Sequence, residues 1–189
     1  FLGIAKPDRE KIEKAVFQKY PVAHSKELEK LLFTLWEKEE REFHYAAISL
    51  AKRAFKIWDP TLLQAFETLI RSQSWWDSVD AIASNLVGAL LLQFPQLVTT
   101  CDHWVDDDDL WMRRTSLIFQ LQFKEKTDEE RLFGNCKKLM HEKEFFIRKA
   151  IGWALRQYSK TNPEKVRLFI EMHRKQLSPL SVREGSKYV

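Results

Sequence analysis

Four aromatic residues recur along the chain at a nearly constant spacing, and each stands at the start of an apolar helical pattern. They are Phe43, Trp76, Trp111 and Phe146, which are separated by 33, 35 and 35 residues. A period of about 34 residues with two helices per unit and no strand is typical of helical-repeat proteins. The spacing therefore predicts an all-α fold, an α-solenoid of HEAT-like helical repeats whose second helices line a concave basic groove.

Few residues interrupt the helical pattern, since the chain has only five Gly and six Pro among its 189 residues. Apolar residues recur at spacings of three and four, which predicts helices throughout. Ser74 is predicted to cap the helix that follows it, and Thr127 to open a capping box before a later helix. The predicted helices cover residues 7–19, 25–36, 39–57, 59–71, 74–92, 95–101, 110–123, 128–141, 144–158 and 163–175, and a last one starts at 179.

The length and the cysteine content limit the class of protein. A chain of 189 residues with 44% hydrophobic content can bury one core, so we expect a single repeat domain over residues 1–189. We expect it to be trimmed at both ends, because it starts at Phe1 and its last element stops at Val189. Cys101 and Cys136 resemble no disulfide framework, so a reducing cytoplasm is expected. The longest apolar run is far shorter than the roughly 20 residues that cross a bilayer, so we expect no membrane partner.

The segment Ser74–Asp80 combines two tryptophans with two carboxylates. On a helix, Trp76 and Asp80 share one face, whereas Trp75 is expected in the core and Asp77 at the helix N-terminus. Asp80 lies beyond capping range among apolar neighbours, where a carboxylate needs a partner. Two interpretations stay open: an ion pair with Arg114 or another base, or a carboxylate that stabilises a cationic transition state.

Basic residues concentrate in the second half of the chain, and the net charge of +4 with a pI near 9.0 favours an anionic partner, most commonly nucleic acid. Around Trp153 the bases alternate with an aromatic ring, as on a nucleic-acid surface. Gly152 beside it indicates close approach of a ligand or another backbone, or tight helix packing. The basic residues of this predicted surface are Arg113, Arg114, Arg148, Lys149, Arg156 and Lys160.

No metal or cofactor is expected. The four consecutive acids of residues 106–109 precede a helix, where they are predicted to cap it and to complement its dipole. The five histidines lack ligand spacing, and nucleophilic triads, P-loops and glycine-rich dinucleotide turns are absent from the sequence.

Five segments together resemble the AlkD family of bacterial alkylpurine DNA glycosylases, which are built from HEAT-like repeats. The segments are Phe1-Leu2-Gly3-Ile4 with Pro7, Ser74-Trp75-Trp76-Asp77-Ser78-Val79-Asp80, Trp111-Met112-Arg113-Arg114, Glu144-Phe145-Phe146-Ile147 and Lys149-Ala150-Ile151-Gly152-Trp153. They occur in the family's order and span essentially the whole chain.

The resemblance implies a cofactor-free, monomeric, monofunctional glycosylase of the bacterial cytoplasm. It would excise cationic alkylated purines such as 3-methyladenine and 7-methylguanine from double-stranded DNA without a lesion-binding base pocket. By motif, Trp76, Trp153 and Asp80 would contact the deoxyribose, and Arg114 would hold the DNA backbone. Lys6 is also expected to contact DNA, although Lys6 and Gln122 both depart from the family's pattern.

Two other functions remain open. One is a non-catalytic relative that binds DNA structure, and the other is a helical-repeat scaffold that receives a helix of a partner protein. Trp76, Asp80, Arg114 and Trp153 favour the enzyme over both, because neither alternative needs this set of side chains.

Overall fold

The computed structural model describes residues 1–189, which form eleven α-helices and no strand. The α-helices are α1 Lys6–Lys19, α2 Ser25–Trp36, α3 Arg41–Arg53, α4 Leu62–Arg71, α5 Trp76–Ala81, α6 Gly88–Gln93, α7 Leu110–Ile118, α8 Glu129–Leu139, α9 Phe145–Tyr158, α10 Pro163–His173 and α11 Pro179–Gly185. A π-helical segment covers Ile82–Val87, and 3-10 segments cover Phe55–Ile57, Pro95–Asp106, Phe119–Gln122, Lys124–Lys126 and Ser186–Tyr188. The all-α prediction is confirmed.

Several of the predicted helices have different bounds in the structure, among them the one predicted over 74–92, which is divided into α5, the π-helical segment and α6. The helix predicted over 39–57 is α3, which ends at Arg53 because the indole N–H of Trp58 donates to the carbonyl of Ala51 at 3.0 Å. The helix predicted over 95–101 is a longer 3-10 segment. The helix predicted over 110–123 is α7, which ends at Ile118, before the Gln120 side chain binds the backbone N–H of Asp128 at 2.8 Å.

Two acidic side chains cap the helices of the later repeats. Asp109 accepts a hydrogen bond from the backbone N–H of Trp111 at 2.7 Å, which confirms that the acidic run leads into α7 as an N-cap. Asp128 caps α8 in the same way, so the capping role expected of Thr127 is wrong. The Thr127 hydroxyl instead donates to the carbonyl of Lys124 at 2.7 Å, in the preceding turn.

The chain forms two compact units, Phe1–Leu90 and Leu91–Val189, and the single-domain expectation stays a prediction. In the first unit α2 packs on α3, α4 packs on the π-helical segment, and both α1 and α5 contact α3. The core of this unit includes Leu28, Leu32, Phe66 and Ile82, which are all inaccessible to solvent. The helices α3 and α5, which carry two successive aromatic positions of the repeat in their first turns, therefore contact each other.

The second unit repeats this arrangement of paired helices. The 3-10 segment Pro95–Asp106 packs on α7, α8 packs on α9, and α9 contacts α7, α10 and α11. Its core includes Trp104, Met112, Ile147 and Leu155, each fully buried. Each unit thus contains the helical repeat that the aromatic spacing predicts. In each repeat, a first helical segment packs on a second helix.

The π-helical segment interrupts the helix that carries Trp76 and Asp80. Its wider turns change the regular pairing of backbone groups, and two side chains bind carbonyl oxygens there. The Ser84 hydroxyl donates to the Asp80 carbonyl at 2.6 Å, and the Asn85 amide donates to the Ala81 carbonyl at 3.0 Å. Such segments are rare and occur frequently at functional sites, and this one begins two residues after Asp80.

None of the helices combines the length and the apolar character that a membrane span requires. Cys101 and Cys136 are both buried, and burial raises the pKa of the Cys136 thiol to about 12.

Candidate functional site

Trp76 and Asp80 lie one helical turn apart at the start of α5. Side chains four residues apart on a helix share a face, so the ring and the carboxylate lie on the same side. Trp76 keeps 48% of its surface exposed, although it belongs to a helix whose Val79 is fully buried. Asp80 is half-buried. A large exposed ring beside a partly desolvated carboxylate is suited to a cationic or sugar-like ligand.

Trp75 is not a core residue, which corrects the expectation from sequence. It is 51% exposed because it precedes the helix as the N-cap, with an extended backbone (φ −150°, ψ 153°), and so does not follow the helical register. Ser74 does not cap α5 either. Its hydroxyl donates to the carbonyl of Ile70 and so completes the end of α4.

Asp77 is held by two side chains of α3. Arg41 forms an ion pair with one carboxylate oxygen at 2.6 Å, and the hydroxyl of Tyr45 donates to the other at 2.5 Å. Burial, together with this hydrogen bond to a carboxylate, raises the pKa of Tyr45. Asp77 lies in the first turn as predicted, but sequence analysis missed Arg41 and Tyr45, which lie one repeat earlier and carry no local signal.

The loop before α5 is fixed from the preceding repeat as well. Gln73, at a left-handed φ of 48°, donates its side-chain amide to the carbonyl of Trp36 at 2.8 Å. In return, the indole N–H of Trp36 donates to the carbonyl of Ser72 at 3.0 Å. His44 stacks on Trp36, with ring centroids 4.5 Å apart. The segment that presents Trp75 and Trp76 is therefore tied to α2 and α3.

The Phe1-Leu2-Gly3-Ile4 motif is attached to α3 by a buried acid. The backbone N–H groups of Leu2 and Gly3 donate to Glu42 Oε1 at 2.9 Å and 3.0 Å. Gly3 has a φ of 74°, which favours glycine. Glu42 is 5% exposed, and its Oε2 has no hydrogen-bond partner.

Arg114 is buried in the second unit, where it is 3% exposed. Its guanidinium donates to the carbonyl of Phe146 and lies 5.8 Å from the centre of that ring. Trp111 packs on the same ring, with centroids 5.0 Å apart. Arg114 thus joins α7 to α9, and its expected contact with the DNA backbone stays a prediction.

Arg113 and Arg148 are both bound around the turn before α9. Arg113 forms an ion pair with Glu142 at 2.7 Å and donates to the carbonyls of Asp107 and Asp108. Arg148 donates to the carbonyl of Glu142 at 3.0 Å. Both side chains remain partly exposed, so each can offer positive charge to a phosphate while it fixes this turn.

Lys149 and Arg156 share one buried acid, Glu184 of α11, at 3.1 Å and 2.7 Å, and Lys187 binds it at 3.3 Å. The hydrogen bond from Lys149 is the main cause that holds the pKa of Glu184 below its ordinary value. Glu184, which lies near the end of the chain, is not among the residues predicted from the sequence.

One face of α9 carries Lys149, Trp153 and Arg156, because these positions differ by three or four residues. Lys160 follows in the turn after α9. Trp153 is half-buried and Lys160 is exposed. Lys160 lies 5.5 Å from the ring centre of Tyr188 and donates to Gln157.

Lys6, the remaining predicted DNA contact, is an exposed side chain at the start of α1, 3.8 Å from Glu10. No three His, Cys, Asp or Glu side chains are grouped to hold a metal ion.

Comparison with known proteins gives one family. The sequence model of the family described as DNA alkylation repair enzyme matches residues 1–189. A comparison with curated proteins finds no match. Among solved structures, a predicted DNA alkylation repair enzyme from Enterococcus faecalis is 35% identical, with a TM-score of 0.92 over 100% of this chain and 88% of that one.

Two further structures, both from Streptococcus mutans, share the fold at low sequence identity. The protein smu.31 is 17% identical, with a TM-score of 0.70 over 95% of this chain and 92% of its own. AlkD2 is 18% identical, with a TM-score of 0.67 over 95% of this chain and 89% of its own.

Proposed function

The chain belongs to the family of DNA alkylation repair enzymes, and we propose that it is a monofunctional glycosylase acting on cationic alkylated purines, such as 3-methyladenine and 7-methylguanine, in duplex DNA. The observation that carries this proposal is the exposed Trp76 ring one helical turn before the half-buried Asp80 carboxylate. The other side chains of the proposed site follow from the resemblance of the motifs.

The reaction needs help at the sugar rather than at the base. A purine alkylated at N3 or N7 already carries positive charge, so it leaves as a neutral base without a general acid. Breaking the N-glycosidic bond puts positive charge on the deoxyribose, and Asp80 stabilises that charge and orients the attacking water. The bond between C1′ and the base breaks, the water oxygen bonds to C1′ in its place, and the proton that the water loses is released to solvent.

The tryptophans supply a second stabilising interaction. The electron-rich face of an indole attracts a cation, with a free energy of about 0.5 to 2 kcal/mol. Trp76 offers such a face next to Asp80, and the resemblance of the motifs assigns the same role to Trp153 of α9. Because the sugar and the phosphates are held, the lesion base itself needs no enclosing pocket.

DNA binding is assigned to the basic side chains near Trp153 and to those at the turn before α9. Lys149 and Arg156 lie on the Trp153 face of α9 and Lys160 lies in the turn after it. Phosphate contacts by such groups supply most of the affinity for a duplex. Arg113 and Arg148 add charge at the turn, and Arg114 holds α7 to α9. Lys6 would contact the DNA from α1.

Release of free base tests the proposal. Purified protein is incubated with methylated duplex DNA, and liberated 7-methylguanine and 3-methyladenine are measured by chromatography. We expect both bases in solution and an uncut strand at the abasic site, because the mechanism uses no lysine Schiff base. A protein that binds the duplex but releases no base would instead be a DNA-structure binder, and the enzyme proposal would fail.

Trp75 supplies a matched control for Trp76, because the two rings are adjacent and expose 51% and 48% of their surfaces. We expect Trp76→Ala to slow base release and Trp75→Ala to retain the wild-type rate. Equal losses in the two variants would show that aromatic surface in general, and not the ring on the Asp80 face, is what matters.

A further inference from the structure

We propose that Arg41 and Tyr45 are positioning residues that set the place of Trp76 and Asp80 by holding Asp77 between them. The proposal rests on the proposed glycosylase function and deepens it. It assigns to α3, the second helix of the preceding repeat, the task of fixing the geometry at the start of α5.

Arg41 binds three points on the segment that surrounds Trp76. Its guanidinium donates to the Gln73 carbonyl at 3.0 Å, to Asp77 Oδ1 at 2.6 Å and to Ser78 Oγ at 2.9 Å. Trp76 lies between the first and the second of these anchors. An arginine that binds the chain both before and after a residue restricts the backbone of that residue, because the planar guanidinium presents its donors in a fixed geometry.

Tyr45 completes the hold on Asp77 from the same helix face, four residues after Arg41. Its hydroxyl donates to Asp77 Oδ2, so each oxygen of the carboxylate has its own donor from α3. The Tyr45 ring is fixed in turn by the guanidinium of Arg9, 4.7 Å from its centre. The Asp77 carboxylate is thus held from α3 through both of its oxygens.

The start of α5 depends on this cluster because the helix is weak by itself. It has six residues before the π-helical segment, and the N-cap residue Trp75 makes no side-chain capping bond. The preceding Gln73 adopts a positive φ that costs free energy in a non-glycine residue. Contacts from α3 therefore supply what local sequence does not, and they decide where the Trp76 ring and the Asp80 carboxylate lie.

If the cluster only stabilised the fold, removing one of its hydrogen bonds would lower the free energy of unfolding without changing the surroundings of the Trp76 ring. Tyr45→Phe removes one hydroxyl from the cluster and leaves the ring for packing. Tyr158→Phe is the matched control, because the Tyr158 hydroxyl also donates to a carboxylate, that of Glu129 in α8. The two variants lose the same type of hydrogen bond at different places.

The ring is observed by ¹⁹F NMR of protein labelled with 5-fluorotryptophan, and the Trp76 signal is assigned with Trp76→Phe. We expect one sharp Trp76 resonance in wild type and in Tyr158→Phe, and a shifted or broadened one in Tyr45→Phe. This readout uses free protein and needs no activity, so it tests positioning even if wild type releases no base. An unchanged Trp76 resonance in Tyr45→Phe would overturn the proposal.

Kinetics give the second readout. Under single-turnover conditions, we expect Tyr45→Phe to lower the rate of base release by about 10-fold to 100-fold, as misplacement of reacting groups does, with unchanged affinity for duplex DNA. Arg41→Lys keeps the charge but cannot bind all three acceptors, and it should lower the rate further. If wild type and Tyr45→Phe release base equally fast, the two residues do not position the site.

Discussion

A Cβ atom at position 152 would lie 2.6 Å from the Cβ atom of Glu184, closer than real Cβ contacts come. Gly152 therefore lets α11 approach α9, and Ser181 of α11 uses this approach to donate its hydroxyl to the carbonyl of Arg148 at 2.8 Å. Of the two explanations that the sequence left open for this glycine, tight helix packing is the one that the structure supports. The close approach also brings the Glu184 carboxylate to Lys149 and Arg156.

Gly152→Ala should destabilise the protein, because the added methyl group forces α9 and α11 apart. Overpacking of this kind costs about 1 to 3 kcal/mol, which outweighs the gain in helix propensity. Gly134→Ala in α8 is the control, since no atom lies within 4 Å of a Cβ built there, and it should stabilise by up to about 1 kcal/mol. Urea unfolding of both variants measures the difference, and a stabilised Gly152→Ala would contradict the packing.

Glu184 should make stability depend on acid pH. Because its pKa lies below the ordinary value, the folded state binds fewer protons than the unfolded state as the pH falls. The stabilisation is complete above about pH 5 and is lost as the pH falls through the lowered pKa. Glu184→Gln should have a lower melting temperature than wild type at pH 7, and its melting temperature should fall less on acidification than that of wild type. Equal decreases in the melting temperatures of the two proteins would contradict this prediction.

His44 should add a second pH dependence nearer neutrality. It is fully buried, its Nδ1 accepts from Arg41 at 3.0 Å, and its Nε2–H donates to the Lys38 carbonyl at 3.0 Å, so only the neutral ring satisfies both partners. Burial is the main cause that lowers its pKa. This stabilisation is complete above about pH 6.5 and declines as the pH falls through the lowered pKa.

Thermal melts between neutral and mildly acidic pH test this prediction. His44→Gln can accept from Arg41 and donate to Lys38 without taking up a proton, so its melting temperature should vary less than that of wild type over this range. An equal pH dependence in both proteins would exclude His44 as its source.

Lys160→Gln should weaken binding to unmodified duplex and reduce the slope of log K against log salt by about 0.9, the value for one lost phosphate contact. Lys175→Gln is a matched control, since Lys175 is equally an exposed lysine but is not among the predicted contacts. Fluorescence anisotropy over a salt series measures both slopes. Identical slopes for the two variants would show that Lys160 does not contact a phosphate.

The fold was largely predictable because the aromatic spacing and the apolar periodicity both follow from helix pairs packed on each other. The errors lie where a single side-chain contact decides a local feature that periodicity does not encode. The Ser74 hydroxyl binds the carbonyl of Ile70 at the end of α4 instead of capping α5, and Trp75 becomes the N-cap with its ring exposed. In the π-helical segment, Ser84 and Asn85 likewise bind carbonyl oxygens four residues earlier.

The residue types of the candidate site were predictable from the sequence, but the side chains that hold them in place were not. Trp76 and Asp80 follow from helical geometry within seven residues, whereas Arg41 and Tyr45 reach Asp77 from more than 30 positions away. Arg114 was expected to contact the DNA backbone because it is basic. Its burial against Phe146 depends on packing between α7 and α9, which the sequence does not indicate. Long-range polar contacts leave no periodic trace in a sequence.

Single-turnover release of 7-methylguanine from methylated duplex DNA by wild type and by Asp80→Asn tests the central claim most directly. The substitution keeps the size of the side chain, replaces one acceptor oxygen by a donor NH2 group and removes the negative charge that stabilises the sugar cation. We expect the rate to fall by about 100-fold to 1,000-fold, the usual loss when one electrostatic contact to a transition state is removed, with duplex affinity unchanged. Base release by Asp80→Asn at the wild-type rate would contradict the proposed mechanism.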